Sequence, residues 1–235
     1  MALRESYNQL YQRACERKGG PDKLEILVTE PLSSEELAGL PDNLYLSAFT
    51  MKVFQSGFVW RVVRNKWPHF ERLFFNFDIE KMLLMPDEMY EAKAKDPDII
   101  RNLKKVMTIR DNALMIDSVS REHGSFGRFI AKWPQDDVVG LWQYLKKHGA
   151  RLGGNTGPYA LRAMGKDTFI LSSDVESYLR AQHIVDGSLT SKRSLTAIQT
   201  FFNELREESG RSLQALSQII SYSSGDNFVH VDTAT

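Results

Sequence analysis

The chain is predicted to be all-α. Apolar residues recur at three- and four-residue intervals along most of its length. Aspartates stand where these periodic runs begin, as capping residues do. Strand-type alternation is scarce, and only residues 169–171 read as briefly extended. From Leu44 the positions Leu46, Phe49, Val53 and Phe54 form one buried helix face, with Asp42 as its expected cap. The run breaks at Gln55, Ser56 and Gly57, since glycine terminates helices. A second helix is expected from Val59 to about Asn65, with a boundary at Trp67-Pro68, because the residue before proline disfavours the α region. Asp78 caps a short helix through Ile79 and Met82 to Met85, and Pro86 can open the next at its first position. Asp98 is expected to start a longer helix whose face includes Ile99, Ile100, Leu103, Val106, Met107, Ala113, Leu114 and Ile116. Asp136 and Asp137 open another, with Val138, Leu141, Trp142 and Leu145 inside and Gly149 as its stop. Residues 194–208 and 211–221 repeat the pattern, for about ten helices in all. Residues 12–43 and 222–235 are the least structured by pattern. One domain over residues 1–235 is expected.

Lys and Arg number 30, Asp and Glu also 30, so net charge is zero and any polyanion surface must come from local clustering. Cys15 is the single cysteine, which excludes an internal disulfide framework and a cysteine-based zinc site. The polar N-terminus lacks the apolar core of a signal peptide, and no stretch of about 18 apolar residues could span a bilayer. A cytoplasmic monomer without metal, cofactor or membrane contact is the expectation.

Residues 145–165, LKKHGARLGGNTGPYALRAMG, carry the most information. A helix ends in Lys146, Lys147 and His148. A glycine-rich turn follows through Arg151, Gly153, Gly154, Asn155, Thr156 and Gly157, and Pro158 can begin a new helix. Amides at the start of that helix lack internal partners and face an anion, and Lys146, Lys147, Arg151 and Arg162 add full charges. This suits a DNA phosphate clamp that reads no sequence. The competing reading is a plain αα-hairpin with glycine caps. A second stretch, KVFQSGFVW at residues 52–60, puts a bend at Ser56-Gly57, an apolar Phe58 at its tip and Trp60 behind it. That could wedge a duplex and stack an extruded base, a cationic one most strongly. Alternatively Phe58 and Trp60 are core.

The hairpin's wording resembles that of the helix-hairpin-helix DNA glycosylases. From Tyr45 to Asp117 the chain resembles the DNA-3-methyladenine glycosylase I family, through Gln55, Gly57, Trp60, Phe77-Asp78, Met85, Ile99-Ile100-Arg101 and Asn112-Ala113. The resemblance resumes over residues 145–165, so a hairpin at about 137–165 is expected. It implies a helical fold and excision of an alkylated base such as 3-methyladenine from double-stranded DNA by a monofunctional N-glycosylase. It implies that Gly57 and Phe58 enter the DNA gap, that Trp60 lines the base pocket with Lys52 and Gln55, and that residues 153–157 hold phosphate beside Lys147 and Arg151. The sequence departs from the family at three points. Lys52 stands where the family has a Glu that hydrogen-bonds the alkylated adenine. The Cys and His ligands of the family's zinc have no counterpart. The aromatics of the family's pocket have only Tyr7 or Tyr11 to replace them.

Residues 168–176 resemble the wider superfamily, with Ser172 where most members place a catalytic Asp. Asp174 is therefore a candidate displaced carboxylate, against a simple capping role with Ser172 and Ser173. Tyr159 falls where strand-cleaving members carry a nucleophilic Lys, which argues against Schiff-base chemistry. The alternative function is a non-catalytic protein that binds damaged or branched DNA, favoured by Lys52 and Ser172. A helical protein–protein adaptor is the third. Arg101, Lys104 and Lys105 read as a solvated face or a phosphate-facing patch.

Overall fold

The computed structural model describes residues 5–225. Among them are fourteen α-helices and two short 3-10 turns, with no strand. The all-α prediction therefore holds, and residues 166–171 are irregular. The helix number exceeds the expectation partly because three of the unexpected helices have only six or seven residues, too few to display a period. Three helices occupy the stretch read as unstructured or border it: α1 (Tyr7–Lys18), α2 (Pro21–Leu27) and α3 (Ser34–Gly39). Their signal was capping rather than periodicity. Ser6 with Gln9 and Ser33 with Glu36 form reciprocal capping boxes, and Pro21 opens α2. Residues 226–235, part of the other stretch read as unstructured, lie outside the described residues.

The chain divides into two compact units. The first comprises residues 1–31, 135–139 and 167–235. In it α14 (Leu213–Ser223) packs against α1, α12 (Ser173–Ala181) and α13 (Lys192–Ser209). Phe169 and Phe202 stack at 4.1 Å in its interior. The buried Asp167 accepts from the amides of Leu213 and Gln214 at 3.2 and 2.8 Å, which answers two of the donors left open at the start of α14. Burial pushes the Asp167 carboxyl above the usual range, and the two amides act against that rise.

The second unit comprises residues 32–134 and 140–166. It holds α3, α4 (Asp42–Gln55), α5 (Trp60–Leu73), α6 (Ile79–Leu84), α7 (Asp87–Lys93), α8 (Leu103–His123), α9 (Phe126–Lys132), most of α10 (Val138–His148) and α11 (Thr156–Ala163). Helix α4 packs against α5, α8 and α11. Tyr45, Phe49, Phe54 and Val53 of α4 are buried, as the periodicity required.

Four local expectations change. The cap of α4 is Pro41; Asp42 is its first residue and accepts instead from the Phe126 amide at 2.9 Å and from Ser120 Oγ. Helix α5 does not stop at Trp67 but runs on through Pro68. An interior proline costs about 3 kcal/mol. Here Trp67 stacks on Phe70 at 5.0 Å and on Phe77 at 5.4 Å, and Trp67 Nε1 donates to Ser47 Oγ at 3.2 Å. Burying two such rings contributes about 1.5–3 kcal/mol each, enough to keep the helix intact. Pro86 is the cap of α7 rather than its first residue. Finally, α8 begins at Leu103 with Asn102 as its cap, accepting from the Lys105 amide at 3.0 Å. Asp98 lies in the preceding loop and pairs with Arg72 at 3.1 Å. Ile99 and Ile100 are buried outside any helix, so the apolar face began one turn before the helix did.

Candidate nucleic-acid interface

Two loops and the helix between them form the site, all within the second unit. The first loop joins α4 to α5. Ser56, Gly57, Phe58, Val59 and Trp60 are all exposed, although three are large and apolar. The core reading of Phe58 and Trp60 is therefore overturned: Phe58 is 37% and Trp60 43% exposed. Gly57 makes the bend with φ of 105°, a region side chains rarely adopt.

Below the loop lies the last turn of α4. Lys52 and Gln55 are one turn apart, and Lys52 Nζ donates to Gln55 Oε1 at 2.9 Å. The Lys52 ammonium also lies over the Trp60 ring, 5.2 Å from its centroid. Tyr159 of α11 meets Trp60 edge-on, at 5.5 Å and 85°. Gln55 is buried, and Lys52 is half-buried. Burial depresses the Lys52 ammonium below its ordinary range, and the positive Arg64 depresses it further. Lys52, Gln55, Trp60 and Tyr159 thus come together as one polar and aromatic cluster.

The second loop, residues 149–155, joins α10 to α11 and completes the expected hairpin. Arg151 and Gly154 both adopt left-handed backbone, with φ of 59° and 60°. Gly157 is fully enclosed by contrast. A Cβ there would sit 2.6 Å from the Leu152 carbonyl oxygen, to which the Gly157 amide donates at 3.1 Å. Only glycine permits that approach. The Thr156 amide donates to Gly153 O at 3.3 Å. Two amides at the start of α11 are therefore satisfied within the turn, which corrects the expectation that they all face outward. Gly154, Asn155 and the side chains of Lys147 and Arg151 are exposed.

Helix α8 holds both loops. Lys105 is buried, not solvated, and its ammonium donates to the carbonyls of Val53 at 2.6 Å and of Ser56, closing the C-terminal end of α4. The negative end of the α4 dipole favours a cation there. The same ammonium lies 4.9 Å from the Phe58 ring centroid. Burial lowers its pKa, with Arg151 of the hairpin adding to the effect. Seven residues along, Asn112 is fully buried. Its Nδ2 donates to Ala150 O at 3.2 Å and its Oδ1 accepts from Ala150 N at 2.8 Å. A spacing of seven residues is two helical turns, about 10.5 Å along one face. One stripe of α8 therefore sets the distance between the apolar loop and the hairpin. Sequence reading gave Asn112 no role and assigned Lys105 to a solvated face or phosphate patch.

The two remaining candidates belong to the first unit. Tyr11 donates to Glu25 at 2.6 Å, Glu25 pairs with Arg211, and Tyr7 lies 5.7 Å from Tyr11. The Glu25 hydrogen bond raises the Tyr11 phenol well above its ordinary value. Arg211 holds the Glu25 carboxyl below its usual range. Ser172 is the cap of α12, accepting from the Val175 amide at 3.3 Å, and Asp174 stands in the first turn of that helix. Among the described residues, no three His, Cys, Asp or Glu side chains gather as a metal site, and no helix is long and apolar enough to cross a membrane.

The sequence pattern of the family described as methyladenine glycosylase matches residues 40–151, from the start of α4 to the hairpin turn. No curated protein matches the chain. Among solved structures, the chain is similar to the 8-oxoguanine DNA glycosylase of Methanocaldococcus jannaschii, at 16% identity and a TM-score of 0.55 over 92% of this chain and 94% of that one. The same organism's 8-oxoguanine glycosylase/lyase in complex with 15mer DNA containing 8-oxoguanine gives 15% identity and 0.55, over 91% and 95%. The 3-methyladenine DNA glycosylase I of Staphylococcus aureus gives 18% and 0.49, over 66% of this chain and 91% of that one. At such identities the likeness to solved structures is one of fold. The matched stretch contains the exposed loop, Lys52, Trp60 and both anchoring residues of α8; over it the chain is similar to the methyladenine glycosylase family, and the chain as a whole shares the all-helical fold of the solved 8-oxoguanine DNA glycosylase.

Proposed function

We propose that the protein is a monofunctional base-excision glycosylase that extrudes a modified base from duplex DNA and hydrolyses its N-glycosidic bond. One observation carries this reading. Three consecutive exposed apolar residues, Phe58 and Val59 on the loop and Trp60 at the start of α5, follow a turn anchored to the same helix as a cationic hairpin. A solvent-exposed apolar loop is costly unless it enters something, and a base stack is what such a wedge fits. Lys147, Arg151 and the hairpin backbone then hold phosphate without reading sequence. Trp60 stacks the extruded base, and Tyr159 supports that ring from the side. An aromatic at position 159 supplies no amine for a Schiff base, so the product is an abasic site rather than a cut strand. Among modified bases, 3-methyladenine is the one that the family's name points to, and it stands in the test panel of substrates with other alkylated purines.

The test is release of a single modified base from an end-labelled duplex, followed by alkaline scission of the abasic site. Stacking contributes about 1–3 kcal/mol per base. Trp60→Ala is therefore expected to slow release about 5–150-fold, with binding to undamaged duplex nearly unchanged. Charge reversal at both Lys147 and Arg151 should instead weaken binding to every duplex at least tenfold. It should also flatten the dependence of log Kd on log salt by about one to two units. Unaltered affinity after that reversal would overturn the nucleic-acid reading. A second reading, lesion binding without excision, is favoured by Ser172 as a helix cap where superfamily members place a carboxylate. It predicts selective binding of modified duplexes with no base released.

A further inference from the structure

We propose that the Lys52 cluster selects an electrically neutral base that presents a carbonyl oxygen, and that it rejects the cationic N-alkylated purines. This rests on the glycosylase reading above and narrows its substrate class. The Trp60 ring that would attract a cationic base already carries the Lys52 ammonium, 5.2 Å from its centroid. A second cation arriving there must displace the first or lie against it. Arg64, the charge that acts on Lys52, is a cation as well. Repulsion in a partly desolvated site is stronger than in water.

The same side chains suit a neutral base. A lysine ammonium has three donors and no acceptor. One is directed to Gln55 Oε1, which orients the head group, and the others are available in kind for a carbonyl oxygen. The Gln55 amide nitrogen adds further donors on the same turn. The need for a cation also grows during reaction. When the bond between C1′ and the base nitrogen breaks, its electron pair leaves with the base. A cationic base departs neutral and requires no help. A neutral base departs as an anion with charge on its carbonyl oxygen, where the Lys52 ammonium stabilises it. Water adds its oxygen to C1′, and the proton it loses ends on the departed base, so atoms and charge balance.

Base release by the wild-type protein is measured on duplexes containing hypoxanthine, 8-oxoguanine or 7-methylguanine. All three carry the 6-oxo group, and hypoxanthine lacks the 8-oxo group of 8-oxoguanine, so two neutral bases are compared with a cationic one that presents the same carbonyl. Release of at least one uncharged base should be tenfold or more faster than release of 7-methylguanine. Lys52→Glu should invert the order, and Lys52→Gln should erase it. Equal or faster release of 7-methylguanine by the wild-type protein would overturn the proposal while leaving the glycosylase reading intact. If no duplex loses a base, the glycosylase reading fails, and equilibrium binding to the same duplexes decides the preference. Tighter binding of an uncharged lesion supports it, and equal or tighter binding of 7-methylguanine overturns it.

Discussion

Replacing Asn112 by alanine is expected to destabilise the protein by about 2–4 kcal/mol, with a fall in melting temperature of about 5–15 °C. The side chain is fully buried and spends both ends on one residue, Ala150, as acceptor for its amide and donor to its carbonyl. Alanine removes both bonds at once and leaves a space in the stripe of α8. Each partner group deprived of its bond costs about 1–3 kcal/mol where water cannot replace it. Ala150 is only partly buried, so the total falls in the lower part of that range. The damage should also be local. Hydrogen exchange at the Ala150 amide and its neighbours in the turn is expected to rise more than exchange in α5 or α6. Uniform acceleration across the second unit, or no loss of stability, would show that Asn112 does not fix the hairpin.

The second large effect is expected at Lys105. Lys105→Met keeps most of the side-chain volume but removes the charge that the carbonyls of Val53 and Ser56 receive. Hydrogen bonds to charged groups contribute about 1.5–3 kcal/mol each, and part of the charge's burial cost is recovered when it is removed. A net loss of about 2–4 kcal/mol follows, read by chemical denaturation. Phe58 also loses the cation beside its ring, so the loop over residues 56–59 should become the first site of limited proteolysis. Lys105→Arg should retain part of the stability, because a guanidinium can still donate to two carbonyls. A methionine variant as stable and as protease-resistant as the wild type would exclude the anchoring role.

Both residues show where pattern reading stopped. Ile116, Asn112, Ile109 and Lys105 lie four, three and four residues apart, one continuous stripe of a helix whose other members are apolar. Stepping back along that stripe places Lys105 inside, yet charge alone assigned it to the surface. A polar side chain on a buried stripe implies a partner, because an unpaired one is too costly. What the pattern could not supply was the partner, since the carbonyls of Val53 and Ser56 lie about fifty positions earlier in the chain.

The helical class, the end of α4, the α6 boundaries, the bend at Gly57 and the hairpin turn were legible because each rests on contacts within a few residues. Periodicity, caps and glycine backbone are local physics, and they survive whatever the rest of the chain does. Three other features were decided by contacts between distant segments. Pro68 stays inside α5 because Trp67 finds Phe77 and Ser47. Phe58 and Trp60 stay exposed while Phe54 of α4 and Phe70 of α5, in edge contact at 4.7 Å, take the buried places. Lys52, read from the chain as a base-pocket residue standing where the family has a carboxylate, becomes a cation set against Trp60, whose ring Tyr159 of the distant α11 meets edge-on. Local sequence can specify which groups are present, but the free energy of burying a charge or exposing a ring depends on neighbours that only folding brings near.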